Sequence, residues 1–255
     1  MKTILVSLLL MVLATLSWAE ADREKLIDRV TAAGTVMDEI MSAPDAGIPD
    51  EILGSAECVA VVPSMLKGGF ILGAAYGKGM ASCKTAKGWS APAFIRVEGG
   101  SVGLQIGGQA VDLIMVIMNE RGMRALLSSK FKLGADASVA AGPVGRHAEG
   151  ATDWKMRAQV LTYSRARGVF AGISLNGAVI KQDRNDTRTF YGRMVPYRTL
   201  LTGAHEAPAD ANPFLDTLRR YAPVKGDAPK APASAAEKRP DKPAEKSAEK
   251  PPEKQ

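Results

Sequence analysis

Between Cys58 and Met118 the chain mixes apolar residues with glycine at a density that a helix does not tolerate. The section SMLKGGFILGAAYGKGMASC sets Gly68, Gly69, Gly73, Gly77 and Gly79 among apolar neighbours. CVAVVP precedes it, and WSAPAFIRVEGG and SVGLQIGGQAVDLIMVIM follow. Short apolar runs bounded by glycine read as strands. Glycine inside a strand marks a bend, a bulge or a close backbone approach, and a strongly curved sheet needs such positions. The section therefore predicts curved strands with turns at Gly88, Gly99–Gly100 and Gly107–Gly108.

Helical signals lie mostly outside this section. Leu26, Val30, Ala33, Met37 and Ile40 recur at helical spacing and predict a helix over 22–41, ended before Pro44 and Gly47. A short helix follows Pro49, with Asp50 and Glu51 favourable in its first turn. Asn119 is placed to cap the helix NERGMRALLSSK. KFKLGADASVAAGPVGR returns to short strands and turns. WKMRAQVLTYS alternates, Arg165–Gly168 turns, and VFAGISLNGAVI is its partner, so 154–180 predicts a hairpin. Asp183–Gly192 holds a helical turn, and NPFLDTLRRY forms a last helix with Asn212 as N-cap and Pro213 at its first position. That order gives an α+β fold: a curved, glycine-rich antiparallel sheet or partial barrel with flanking helices.

The two ends differ from this core. Residues 1–19 combine Lys2, an apolar stretch from Ile4 to Leu16, and small residues at Ser17 and Ala19. This is the pattern of an export signal cleaved after about Ala19, and it predicts a periplasmic protein. Residues 223–255 hold seven prolines and no Leu, Ile or aromatic residue. Such a tail lacks the apolar surface to offset its ordering entropy, so a disordered Pro/Lys/Glu-rich segment is expected. The span 20–222 remains for a single domain. Export puts Cys58 and Cys83, the only cysteines, in an oxidising compartment, where one structural disulfide is the expected pairing.

Charge narrows the function classes. The net +6 falls to +3 for residues 20–222, which carry 24 basic and 21 acidic residues. So small an excess argues against nucleic acid as a partner, as does an aromatic content of 5%. Its distribution is uneven: 130–193 hold eleven bases against five acids, a bias suited to anionic head groups. Two histidines leave little for a metal site, and no cofactor is expected. Nucleotide motifs fail individually. GAAYGKG has the wrong spacing and no Ser/Thr after its Lys, and GISLNG breaks the nucleophile-elbow pattern at Asn176. His147, beside Glu149 and Asp153, leaves a weak hydrolase reading. Asp112, within the apolar run GGQAVDLIMVIM, needs a partner and is expected to bond a turn backbone or an arginine.

Taken together, ECVAVVPSMLKGGFILGAAYGKG, GWSAPAFIRVEGGSVGLQIGGQAVDLIMVIM, KLGADASVAAGPVGR, TYSRARGVFAGISLNGAVI and RNDTRTFYG resemble the SYLF domain family over residues 25–192. The resemblance implies non-catalytic binding of a lipid or membrane surface. Bacterial members are exported; eukaryotic members bind phosphoinositides and are sometimes linked to actin. The helix that assists membrane binding in eukaryotic members is acidic here, with Asp22, Glu24, Asp28, Asp38 and Glu39 against Arg23, Lys25 and Arg29. The expected ligand is an anionic phospholipid of the cell envelope, met by Lys67, Lys78, Lys84, Arg146, Arg165 and Arg167; Met65, Leu66 and Phe70 could add apolar contact, with core packing the favoured role of each. The alternative is a structural or interaction protein whose tail contacts an envelope protein or polymer.

Overall fold

The computed structural model describes residues 2–43, 47–69, 72–102, 107–128, 130–143, 158–166, 169–170 and 175–224. In chain order the elements are α1 (Lys2–Met41), α2 (Asp50–Gly54), β1 (Cys58–Gly69), β2 (Leu72–Thr85), β3 (Gly88–Trp89), β4 (Ala93–Val102) and β5 (Gly107–Ile117). After these come α3 (Glu120–Leu127), β6 (Lys130–Lys132), β7 (Val139–Ala141), β8 (Val160–Ala166), β9 (Val169–Phe170) and β10 (Val179–Gln182). The chain closes with α4 (Arg184–Tyr191), α5 (Tyr197–Leu201) and α6 (Asn212–Tyr221).

The strands form one sheet in the order β6-β10-β4-β2-β1-β5-β8-β7, with β3 added on β2 and β9 on β8. Only residues 133–138 join the two edge strands, β6 and β7. A flat path of eight strands would hold its edges ~34 Å apart, yet a link of that length reaches only ~25 Å. The sheet must curl, and a bridge between Leu133 and Ala137 ties the link together. The fold is α+β, as expected, with the sheet curled into a partial barrel.

Curling buries both faces. Inside the curl lie Ala60, Val62, Met65, Ile95, Leu113 and Met115, closed off by Leu126 of α3 and Leu200 of α5. On the outer face Val61, Met80, Phe94, Ile114 and Leu161 pack against α1 and α6. The predicted stripe of α1 is buried throughout, with Val36 added to it. Gly34 lets the two helices meet, since a Cβ there would lie 2.6 Å from the Pro213 carbonyl oxygen. Cys58 stands opposite Cys83 in the β1–β2 ladder, and the two form the expected disulfide.

Four local expectations are corrected. The sheet is mixed, because β7 runs parallel to β8; residues 142–159 are long enough for the crossover that parallel neighbours need. Gly99 and Gly100 make no turn but stay in β4, opposite Ala75 and Ala74, and Gly107 and Gly108 stay in β5, opposite Gly69 and Gly68. The hairpin over 154–180 holds only where Arg165 and Ala166 pair with β9. β10 instead pairs with β4 and β6; residues 154–157, 167–168 and 171–174 lie outside the described residues. Asn212 is not the N-cap. A 3-10 turn over Ala209–Ala211 has already wound the chain, so Ala211 takes that position.

Candidate functional site

The site grows from a bulge in β1. Between Val61 and Leu66 this strand carries one residue more than β2, and the same excess appears against β5. Ser64 takes φ 48°, and its N–H donates to Asp112 Oδ1 at 2.9 Å. Asp112 thus bonds the turn backbone, as expected. An extra residue reverses the side-chain alternation beyond it. Met65 therefore joins Val62 inside the curl, and Leu66 faces outward. Gly77 leaves room for this, since a Cβ there would lie 2.6 Å from Val62 Cγ1.

Leu66 lies directly opposite Tyr76. They are the exposed large apolar side chains among the described residues, at 62% and 44%. The next same-face positions are Gly68, Ala74, Gly100 and Gly108, so the strand ends beyond the pair are almost bare backbone.

Two residues along β2, on the same face as Tyr76, a row of cations begins. Lys78 pairs in register with Arg96, Arg96 with Lys181, and Lys181 with Lys130. Like charges opposed across neighbouring strands destabilise a sheet, so counter-charges gather here. Lys78 Nζ lies 2.9 Å from Asp183 Oδ2 and 3.0 Å from Asp186 Oδ1. Arg29 of α1 also reaches Asp186, Arg96 Nε stands 3.5 Å from Asp183, and Lys181 meets Glu98 at 2.6 Å. Burial pushes the Asp183 carboxyl up, but the Lys78 ammonium, the Asp186 N–H and Arg96 outweigh it and hold it below its ordinary value. Burial likewise lowers Lys78, and the two carboxylates more than reverse that. At the β6 end, Lys130 has no ion pair among the described residues.

The residues expected from the sequence divide. Lys67 is half-buried, next to Leu66, without an ion pair among the described residues. Lys78 belongs to the cation row. Lys84 lies elsewhere: its Nζ donates to the carbonyls of Leu53 and Gly54 at 3.0 and 2.8 Å and closes the end of α2. Burial lowers its pKa despite nearby Glu57. Arg165 is held by Glu39 of α1 and stands 3.6 Å from Asp112, with a side chain 16% exposed. Met65 is buried in the core, the role favoured for it from the sequence. Arg146, Arg167, Phe70 and His147 lie outside the described residues. Sequence reasoning missed Tyr76 and Arg96. Their signal was the spacing Tyr76-x-Lys78 and Arg96-x-Glu98, which gains meaning only once strand register is known. Among the described residues no His, Cys, Asp and Glu cluster is placed to hold a metal, and no helix is long and apolar enough to cross a membrane.

The described residues thus form a curled sheet that presents an apolar pair beside a cation row. Residues 98–221 match the family described as Ysc84, Las17-binding protein actin regulator. The SH3 domain-containing YSC84-like protein 1 of Xenopus laevis is 37% identical over 183 residues, which cover 71% of this chain and 54% of that protein. The human protein of the same name is 32% identical over 182 residues, covering 71% and 53%. Protein YSC84 of Saccharomyces cerevisiae is 32% identical over 182 residues, covering 70% and 39%. The chain carries a domain of this family, the Ysc84 or SYLF family. It spans about half the length of the animal relatives it matches.

Proposed function

We propose that this protein binds membrane surfaces rich in anionic phospholipid and performs no catalysis. The observation that carries the reading is the Leu66–Tyr76 pair, exposed one row from Lys78, Arg96, Lys181 and Lys130 on the same face. Tyrosine suits the bilayer interface, with its ring in the acyl boundary and its hydroxyl in water. Bare strand ends let backbone and ring approach lipid closely. Lys130 supplies a long-stemmed charge that reaches head groups while its stem lies on apolar surface. None of these three relatives is named for an enzyme, which supports a binding role. The protein acts in the periplasm after loss of residues 1–19; the Lys2–Ala19 signal pattern and the Cys58–Cys83 disulfide both support that placement.

Flotation of residues 20–255 with vesicles of graded anionic content tests this reading, at low and high salt, because the apolar stretch Ile4–Leu16 would itself enter a bilayer. Binding is expected to rise with anionic lipid and to weaken with salt. Absence of binding to every composition refutes it. Weight then moves to a protein or envelope-polymer partner, the kind of role suggested by the matched family's description as a Las17-binding protein.

A further inference from the structure

A cavity of about 490 Å³ opens where α1, the end of α4 and the loop before α6 meet. Arg23, Phe190, Tyr191, His205, Glu206 and Pro208 line it. Its wall is a set of fixed rings. The Tyr191 hydroxyl donates to the Pro92 carbonyl at 2.6 Å. The Tyr191 ring stands edge-on to Phe190 and to His205, with centroids 5.1 Å apart in each case. His205 is held in turn, its Nδ1 lying 2.7 Å from the Glu206 carbonyl oxygen. Arg23 is paired with Asp210. Glu206 is exposed and makes no ion pair among the described residues. Neither does Glu20, exposed one helical turn before Arg23. The charge left unpaired at the mouth is therefore acidic.

Fixed aromatic rings with acids at the rim suit a proline-rich segment that carries a cation. Such segments adopt the polyproline II helix before they bind, so docking on aromatic grooves costs little ordering. That helix has three residues per turn, which sets prolines at i and i+3 on one edge. This chain holds two such pairs in its tail, Pro229 with Pro232 and Pro240 with Pro243. Lys230 lies within the first pair, and Asp241 within the second, where it would set an acid beside Glu206.

Reach also favours the first pair. Pro208 precedes α6 by four residues, and this ten-residue helix is ~15 Å long. Past its other end, Val224 packs on the outer core. Pro229 and Pro232 follow Val224 by five and eight residues, a span of ~16–25 Å in polyproline II. That is enough to return along α6 to the cavity. A tether this short keeps the segment at a high effective concentration, so a weak contact suffices.

We propose that segment 229–232 of this chain docks in the cavity, with Pro229 and Pro232 against Tyr191 and His205 and with Lys230 at Glu206. The contact goes beyond membrane binding and does not depend on it.

Cross-linking within residues 20–255 tests this, with p-benzoylphenylalanine in place of Ala207, an exposed lining residue. The dilute protein is irradiated without vesicles, digested and mapped by mass spectrometry, so the outcome is independent of the membrane reading. The expected product joins position 207 to residues 228–236 of the same chain, at a yield independent of protein concentration. Combining Pro229→Ala, Pro232→Ala and Lys230→Glu is expected to lower that yield about fivefold. Pro240→Ala with Pro243→Ala is expected to change it little. Cross-links confined to residues 20–224, or none, overturn the proposal. So does a yield spread evenly along the tail and unmoved by the triple variant. Cross-linked dimers that replace the intrachain product as concentration rises overturn it too, because the occupant is then the tail of a second copy.

Discussion

The Asp112 carboxylate accepts the backbone N–H of Ser64 at 2.9 Å, and this contact fixes which face Leu66 occupies. Without the extra residue that it holds in β1, Leu66 would continue the inward alternation of Ala60 and Val62. Asp112→Ala hands the exposed Ser64 N–H to water and is expected to destabilise the fold by ~0.5–1.5 kcal/mol. Ser64→Gly removes the penalty of a side chain at φ 48° and is expected to be neutral or mildly stabilising. Urea unfolding of both variants checks the pair. Equal destabilisation by both would contradict this role for Asp112.

Leu66→Ser and Tyr76→Ser act at an exposed surface, so stability is expected to change by less than ~0.5 kcal/mol. Flotation with anionic vesicles is expected to fall for each and further for the double variant. Loss of stability without loss of flotation would assign the pair a structural role instead.

Gly34→Ala pits propensity against space. Alanine favours a helix over glycine by ~1 kcal/mol. The new Cβ, however, would stand 2.6 Å from the Pro213 carbonyl oxygen, where backbone of both helices must give. Such overpacking costs ~1–3 kcal/mol, so a net loss of stability is expected, read as a lower thermal midpoint.

The disulfide joins residues 25 apart in sequence, and a loop of that length is worth ~3 kcal/mol. Cys58→Ala with Cys83→Ala is expected to cost about that much in urea, with a further small loss from the cavity left in the inner core.

The Lys78–Asp183–Asp186 cluster sets a pH window. Asp183 sits below its ordinary 3.8, so its contribution is full above that value and is lost as pH falls through the depressed one. Lys78 sits above its ordinary 10.5, so its contribution is full below that value and is lost as pH rises through the raised one. Stability from this cluster is therefore expected to be level between those limits. Lys78→Met removes the counter-charge of Asp183, so the variant is expected to be less stable than the parent near neutral pH and to lose less of its stability as pH falls below 3.8. Urea midpoints at stepped pH provide the check.

What the sequence disclosed follows the range of the physics involved. The buried face of α1 was legible because helical period is local: Leu26, Val30, Ala33, Met37 and Ile40 all point inward. The need of Asp112 for a partner was legible because buried carboxylates require one. Leu66 facing outward was not, because one bulged residue reverses a strand and nothing in PSMLK marks it. The parallel β7–β8 pair rests on the three residues of Val139–Ala141, too few to carry a pattern. The cation row escaped notice for the same reason. Lys78, Arg96, Lys181 and Lys130 come from four separate stretches and align only through register. Arg165 looked available at a turn, but α1 brings Glu39 over it.

The most direct test of membrane binding places a reporter at the exposed pair. Tyr76→Trp keeps an amphipathic ring at the same position, and its emission is read as the difference from the parent chain on adding anionic vesicles at low salt. Membrane binding through this face predicts a shift to shorter wavelength, with quenching by brominated lipid and reversal by added salt. Vesicle binding by flotation with no shift and no quenching at position 76 would contradict it, because the protein would then be meeting the membrane through another surface.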